Sequence, residues 1–224
     1  MHHVIRALIN SASNVLEQIL IDESAKPVNL PLALLQKITD NFSENKQIGH
    51  GAFGIVYKGD LQNGSVAIKK LLYRQTKVEK KMEPFDQEAT YLISVKHINI
   101  VRFLGYCGTA EKKAMMVQES PMNCVFGEIQ ERLLCFEYID NGSLDIHLTD
   151  ELSGLEWHTR FEIIRGICDG LVYLHRDKDI VHMDMKPGNI LLNKLMIPKI
   201  TDFGISKFLE GKTHFVTTHP VGTQ

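Results

Sequence analysis

His182-Met183-Asp184-Met185-Lys186-Pro187-Gly188-Asn189, followed downstream by Asp202-Phe203-Gly204, is the stretch on which the reading of this chain turns. It offers one carboxylate, an ammonium two residues on, a carboxamide three further, and then a second carboxylate. Such a grouping meets the needs of magnesium-dependent phosphoryl transfer from ATP. One carboxylate can orient a hydroxyl and take its proton, the ammonium can neutralise a γ-phosphate, and two hard oxygens can hold Mg²⁺.

Upstream, from Ile48 onward, the texture is that of strands. Gly49-His50-Gly51-Ala52-Phe53-Gly54 is a G-x-G-x-x-G, which alone is a weak signal. A dinucleotide-binding turn would open a helix at its third glycine. Here the run continues into Ile55-Val56-Tyr57-Lys58-Gly59, β-branched and aromatic, and after Gly64 into Ser65-Val66-Ala67-Ile68-Lys69. A glycine loop joining two strands reads either as an ordinary hairpin turn or as a lid whose backbone approaches phosphates closely. The Val-Ala-Ile-Lys that follows favours the lid. Lys69 on its strand needs a partner if buried. Glu88, in the helical segment Phe85 to Leu92, is the expected partner, with Glu79 and Glu83 as rivals.

Composition narrows the field only slightly. The chain has 224 residues, enough for one large domain or two lobes. Its 25 Lys and Arg nearly balance 27 Asp and Glu, which gives no sign of a nucleic-acid or anionic-membrane surface. Cys107, Cys124, Cys135 and Cys168 are widely spaced with no C-x-x-C pair, as expected of buried thiols in a reducing compartment. No membrane span or signal-peptide block is visible, and with His2 rather than Gly after Met1 no N-myristoylation is expected. The expected address is cytoplasmic, at the plasma membrane only through a partner.

At the N-terminus Val4, Ile5, Leu8, Ile9, Ala12, Val15, Leu16, Ile19 and Leu20 repeat with helical period. This predicts an amphipathic helix, either packed on the body of the protein or docking a receptor or kinase partner. A second helical patch runs from Leu32 to Thr39.

Taken together, residues 49–59, Ala67-Ile68-Lys69, Glu88, His97 to Val101, Asp184 to Asn189 and Asp202 to Gly204 resemble the eukaryotic protein kinases in order and spacing. The signature is matched to that family, which is the standard case of this chemistry. Asp40-Asn41-Phe42-Ser43 and Asn141-Gly142-Ser143-Leu144 resemble the plant receptor-like kinase group in particular.

The resemblance implies an α+β fold: a complete β-rich N-lobe with one main helix, and an incomplete α-helical C-lobe. It implies a helical appendage over 1–31, an N-lobe and hinge over 32–140 with a surface insertion at 108–132, and a partial C-lobe over 141–224. Asp184 would orient the substrate hydroxyl, Lys186 would meet the γ-phosphate, and Asn189 and Asp202 would hold Mg²⁺. Lys69, paired with Glu88, would hold the α- and β-phosphates of ATP. Ile48, Gly49, Gly51, Gly54, Val56, Ala67, Phe136, Glu137, Ile139 and Leu191 would line the nucleotide. Leu92, His182 and Phe203 would stack as a spine, which makes His182 structural rather than an acid–base catalyst. Lys186 also resembles serine/threonine kinases rather than tyrosine kinases.

Three features depart from the family pattern. Met183 stands where most members carry an Arg that pairs with a phosphate, so the chain resembles the non-RD type. Phosphorylation of Thr213, Thr217 or Thr218 is then expected to matter less for switching. Residues 108–132 exceed a hairpin loop. The match stops within the substrate-docking loop, so the helix around Gly166, Cys168, Gly170, Leu171 and Leu174 is expected to expose an apolar face. Two functions follow as expectations: an ATP- and Mg-dependent protein serine/threonine kinase, or a kinase-like fragment that binds nucleotide or partners with little catalysis.

Overall fold

The computed structural model describes residues 2–51, 54–72, 84–116, 124–149, 154–202 and 207–208. The chain forms two units, Met1–Phe85 with Leu104–Glu137, and Asp86–Phe103 with Tyr138–Gln224. The division falls within a helix, so the residues from Asp86 belong to the second unit.

In the first unit α1 (His2–Ile21), β1 (Val28–Asn29) and α2 (Leu32–Ile38) precede the hairpin strands β2 (Gln47–Gly51), β3 (Gly54–Leu61) and β4 (Gly64–Leu71). After α3 (Pro84–Ser94) come β5 (Phe103–Met116) and β6 (Cys124–Glu137). The sheet has six strands in the order β1-β5-β6-β4-β3-β2, antiparallel where β2, β3, β4 and β6 meet and parallel where β1 joins β5.

Register sorts the strand residues onto two faces, because directly paired residues point the same way and neighbours alternate. Tyr57 pairs with Ile68 and Ile68 with Cys135, while Val66 is paired with Gly59. That face meets Leu16, Ile19, Leu34 and Leu35 of the two helices in one core. At Gly59 even a Cβ would come within 3.0 Å of Ile38 Cδ1, so α2 lies directly on the strand. Residues 1–31 are thus built into the first unit rather than appended to it. The α1 stripe is divided: Leu16 and Ile19 are buried, whereas Val4, Leu8 and Val15 are exposed.

Residues 108–132 are not a loop excursion throughout. Gly108 to Met116 continue β5 and Cys124 to Arg132 belong to β6, so the extra length mostly extends a hairpin. The turn between these strands lies outside the described residues.

The second unit holds the rest of α3, then α4 (Leu144–Thr149), α5 (Trp157–Val172) with a π turn at Tyr173–Asp177, and the short strands β7 (Ile180–Val181), β8 (Ile190–Leu192), β9 (Pro198–Ile200) and β10 (Lys207–Phe208). β8 pairs with β9 and β7 with β10, both antiparallel. Gly166 and Gly170 give α5 a flat side: a Cβ at Gly166 would lie 2.7 Å from both Asn99 Nδ2 and Pro198 Cγ. This side, with Leu174, is buried. The exposed apolar face of α5 is instead Trp157, Phe161, Ile164 and Val172, with Cys168 also exposed. The side around Gly166, Gly170 and Leu174, expected to be bare, is therefore covered, and the exposed apolar face lies on the other side of the helix. Among the described residues no helix is long and apolar enough to cross a membrane.

Candidate active site

In the first unit the second sheet face carries the predicted nucleotide residues. Gly49 pairs with Val56, Val56 with Lys69, Lys69 with Leu134 and Ala67 with Phe136. Gly49, Val56 and Lys69 therefore form a row across three strands, with Ala67 and Phe136 beside it. Lys69 is buried at 8% exposure. The proposed partner Glu88 falls in α3, but its side chain, like Glu79 and Glu83, lies outside the described residues.

The three glycines are not equivalent. A Cβ at Gly54 would stand 2.6 Å from the Lys70 carbonyl oxygen, so packing alone demands glycine there. At Gly51 nothing among the described residues lies within 4 Å of such a Cβ, and at Gly49 only ordinary contact with Val56 would result. Neither has a positive φ. The packing of the described residues does not by itself require glycine at Gly49 or Gly51.

The second unit gathers Asp184, Lys186 and Asn189 around one turn. Asn189 Nδ2 donates to the Asp184 carbonyl at 2.7 Å and to its carboxylate Oδ2 at 3.1 Å. Lys186 Nζ lies 3.1 Å from the same Oδ2. With Nδ2 so committed, the Asn189 Oδ1 faces away as an acceptor-only oxygen.

His182 is nearly inaccessible and uses both ring nitrogens. Nε2 donates to the Thr201 carbonyl at 2.7 Å, and Nδ1 accepts the Asp184 backbone N–H at 3.3 Å. A carbonyl only accepts, so this fixes the Nε2–H tautomer and assigns the ring to holding Asp184 beside the strand end. Of the predicted spine, Leu92 and His182 are buried and Phe203 lies outside the described residues, as do Gly204 and Thr213, Thr217 and Thr218.

Asn99, quoted in the sequence only as context, is the residue that ties the strand leading to Asp202. Its Nδ2 donates to the Pro198 carbonyl at 3.0 Å and its carbonyl accepts from Ile200 N–H at 2.8 Å. Thr201 N–H then donates to the Asn189 carbonyl at 2.9 Å. Burial of a polar side chain is the property that would have singled it out, and a sequence does not display it. Met183 and Asp202 both adopt left-handed backbone, with φ of 67° and 68°. A non-glycine residue there costs roughly 1–2 kcal/mol, so the surrounding bonds hold both ends of the site in place.

The remaining residues fall on elements of known placement. Leu191 lies in β8, bridged to Ser143, and Leu192 N–H donates to the Gly142 carbonyl at 2.9 Å. Phe136 and Glu137 end β6, Ile139 is buried just beyond it, and Ile48 is exposed in β2. Among the thiols, burial raises Cys107 to about 11 and pushes Cys135 up further, which leaves both inert.

A family profile described as "Protein kinase domain" matches residues 42–224, and the chain belongs to that family. It is 38% identical over 206 residues to a G-type lectin S-receptor-like serine/threonine-protein kinase of Arabidopsis thaliana, covering 88% of this chain and 22% of that protein. It is 40% identical over 197 residues to a cysteine-rich receptor-like protein kinase of Oryza sativa subsp. japonica, covering 86% of this chain and 27% of that one. The chain thus spans about a quarter of the length of these curated relatives.

Proposed function

We propose that the chain carries out ATP- and Mg²⁺-dependent phosphoryl transfer to serine or threonine hydroxyls of a protein. The observation that carries this reading is the pair of contacts at Asp184: Asn189 Nδ2 and Lys186 Nζ both within 3.1 Å of one carboxylate oxygen. The serine/threonine assignment rests on Lys186 and on the names of the relatives.

Asp184 orients the incoming hydroxyl and accepts its proton, a role worth about 10²–10⁴-fold in rate. Lys186, held at that carboxylate, offers its charge to the transferred phosphoryl group. Lys69, in its row with Gly49 and Val56, meets the other phosphates under the backbone of the glycine strand. In the first unit Val56, Ala67 and Phe136 supply apolar contact for adenine, and the Glu137 backbone supplies a hydrogen bond.

The donor set suits Mg²⁺: one amide oxygen from Asn189 and one carboxylate from Asp202 are hard ligands, and the metal ordinarily takes the rest from phosphates and water. When bound there, the ion would neutralise phosphate charge.

Thermal denaturation with and without Mg-ATP tests the binding half of this reading. The native chain should gain several degrees with both present. Asp202→Asn should gain nothing from the metal, and Lys69→Met should respond only weakly. Equal stabilisation of all three proteins would overturn the assignment.

A further inference from the structure

The family match begins at residue 42, yet the first unit's core is built in large part before that point. Leu16 and Ile19 of α1 are packed with Val66 and Ile68 of β4 in one buried cluster. The same helix buries a carboxylate. Glu17 is 8% exposed, and its Oε1 accepts the backbone N–H of Gln62 at 3.2 Å while Oε2 accepts Asn63 Nδ2 at 2.6 Å. Gln62 and Asn63 are the two-residue turn joining β3 to β4, since Leu61 pairs with Gly64. One turn further along α1, Leu20 reaches that hairpin too: a Cβ on Gly64 would lie 3.0 Å from Leu20 Cδ2.

The face that α1 covers is the reverse of the face bearing Val56, Ala67 and Lys69. Successive strand residues point to opposite sides, so whatever fixes Val66 and Ile68 against the helices also fixes Ala67 and Lys69. A carboxylate on a hairpin turn is a stronger fastening than apolar packing alone, because it is directional and its hydrogen bonds are charge-assisted.

We infer that α1 is a positioning strap for the nucleotide-facing hairpin, and that Glu17 is its fastening residue. Glu17 acts through the β3–β4 turn and does not touch the reacting groups. The inference rests on the nucleotide reading of Lys69 given above. Release of the strap would loosen the hairpin and weaken nucleotide binding without altering the Asp184 turn. A chain segment outside the family match would thereby set the affinity of the site within it.

The test uses the full chain with Glu17→Ala and Glu17→Gln. Amide exchange at Gln62 reports the fastening directly, and titration with Mg-ADP, well below the unfolding midpoint, reports its consequence. Glu17→Ala should lose at least about tenfold of Gln62 protection and weaken Mg-ADP about three- to tenfold, with exchange in β8 and β9 unchanged. Glu17→Gln, which keeps one acceptor oxygen, should recover most of the Gln62 protection and the affinity.

Unchanged protection at Gln62 in Glu17→Ala would overturn the fastening. Lost protection with affinity held within twofold would reduce α1 to core packing and overturn the strap. Failure of the unaltered chain to bind Mg-ADP would instead strike the nucleotide reading of the site. The exchange comparison would then still decide whether Glu17 fastens the turn.

Discussion

Asn189 spends its amide nitrogen on Asp184, donating to that residue's carbonyl at 2.7 Å and its carboxylate at 3.1 Å, and so presents its oxygen away from it. One side chain therefore positions the proposed base and supplies a metal ligand. Asn189→Ala should cost about 1–3 kcal/mol, since it removes two hydrogen bonds made by a buried amide. It should also weaken Mg-ATP at least about tenfold. Calorimetric titration and a melting curve check the two effects; loss of stability with affinity intact would remove Asn189 from the metal site.

The glycine strand makes a contrasting pair of predictions. Gly54→Ala should destabilise the chain by about 1–3 kcal/mol through collision with the Lys70 carbonyl. Gly51→Ala meets no obstacle among the described residues, so its stability should be unchanged or slightly higher. Its affinity for Mg-ATP should nevertheless fall. Melting midpoints and titrations on the two variants separate packing glycine from ligand glycine.

Thiol chemistry should divide along burial. Cys107, raised to about 11 by desolvation, and Cys135, buried and shifted further, should stay unmodified by iodoacetamide at pH 8. Cys168 is exposed and should be alkylated in the folded state. Peptide mapping by mass spectrometry reads this directly. Rapid labelling of Cys135 without unfolding would contradict its place in the core.

Much of the fold was legible because its signals are local. The alternation in Ile55 to Gly59 and Ser65 to Lys69 is a period-two pattern that pairing merely completes. The turn from Asp184 to Asn189 was legible because its chemistry is packed into six residues. What escaped depends on tertiary partners. Gly51 and Gly54 are the same letter, and only the neighbouring Lys70 carbonyl distinguishes them.

The same holds for the helices. Period alone shows that α1 and α5 are amphipathic but not which side is covered. Leu16 and Val15 are adjacent apolar residues on opposite sides of that decision, and so are the buried Gly170 and the exposed Cys168 on α5. The long hairpin of β5 and β6 read as an insertion because its charged residues, such as Lys112 and Glu131, weaken the strand signal. Cross-strand pairing and the Lys70–Glu131 ion pair at 2.8 Å accommodate such charges.

The most direct test of the central claim is transfer of labelled phosphate from ATP to a protein substrate by the purified chain, with Asp184→Asn beside it. The account predicts Mg²⁺-dependent label on serine or threonine, reduced at least about 10²-fold by that single change while nucleotide binding persists. No transfer by the unaltered chain, or transfer undiminished in Asp184→Asn, would contradict it.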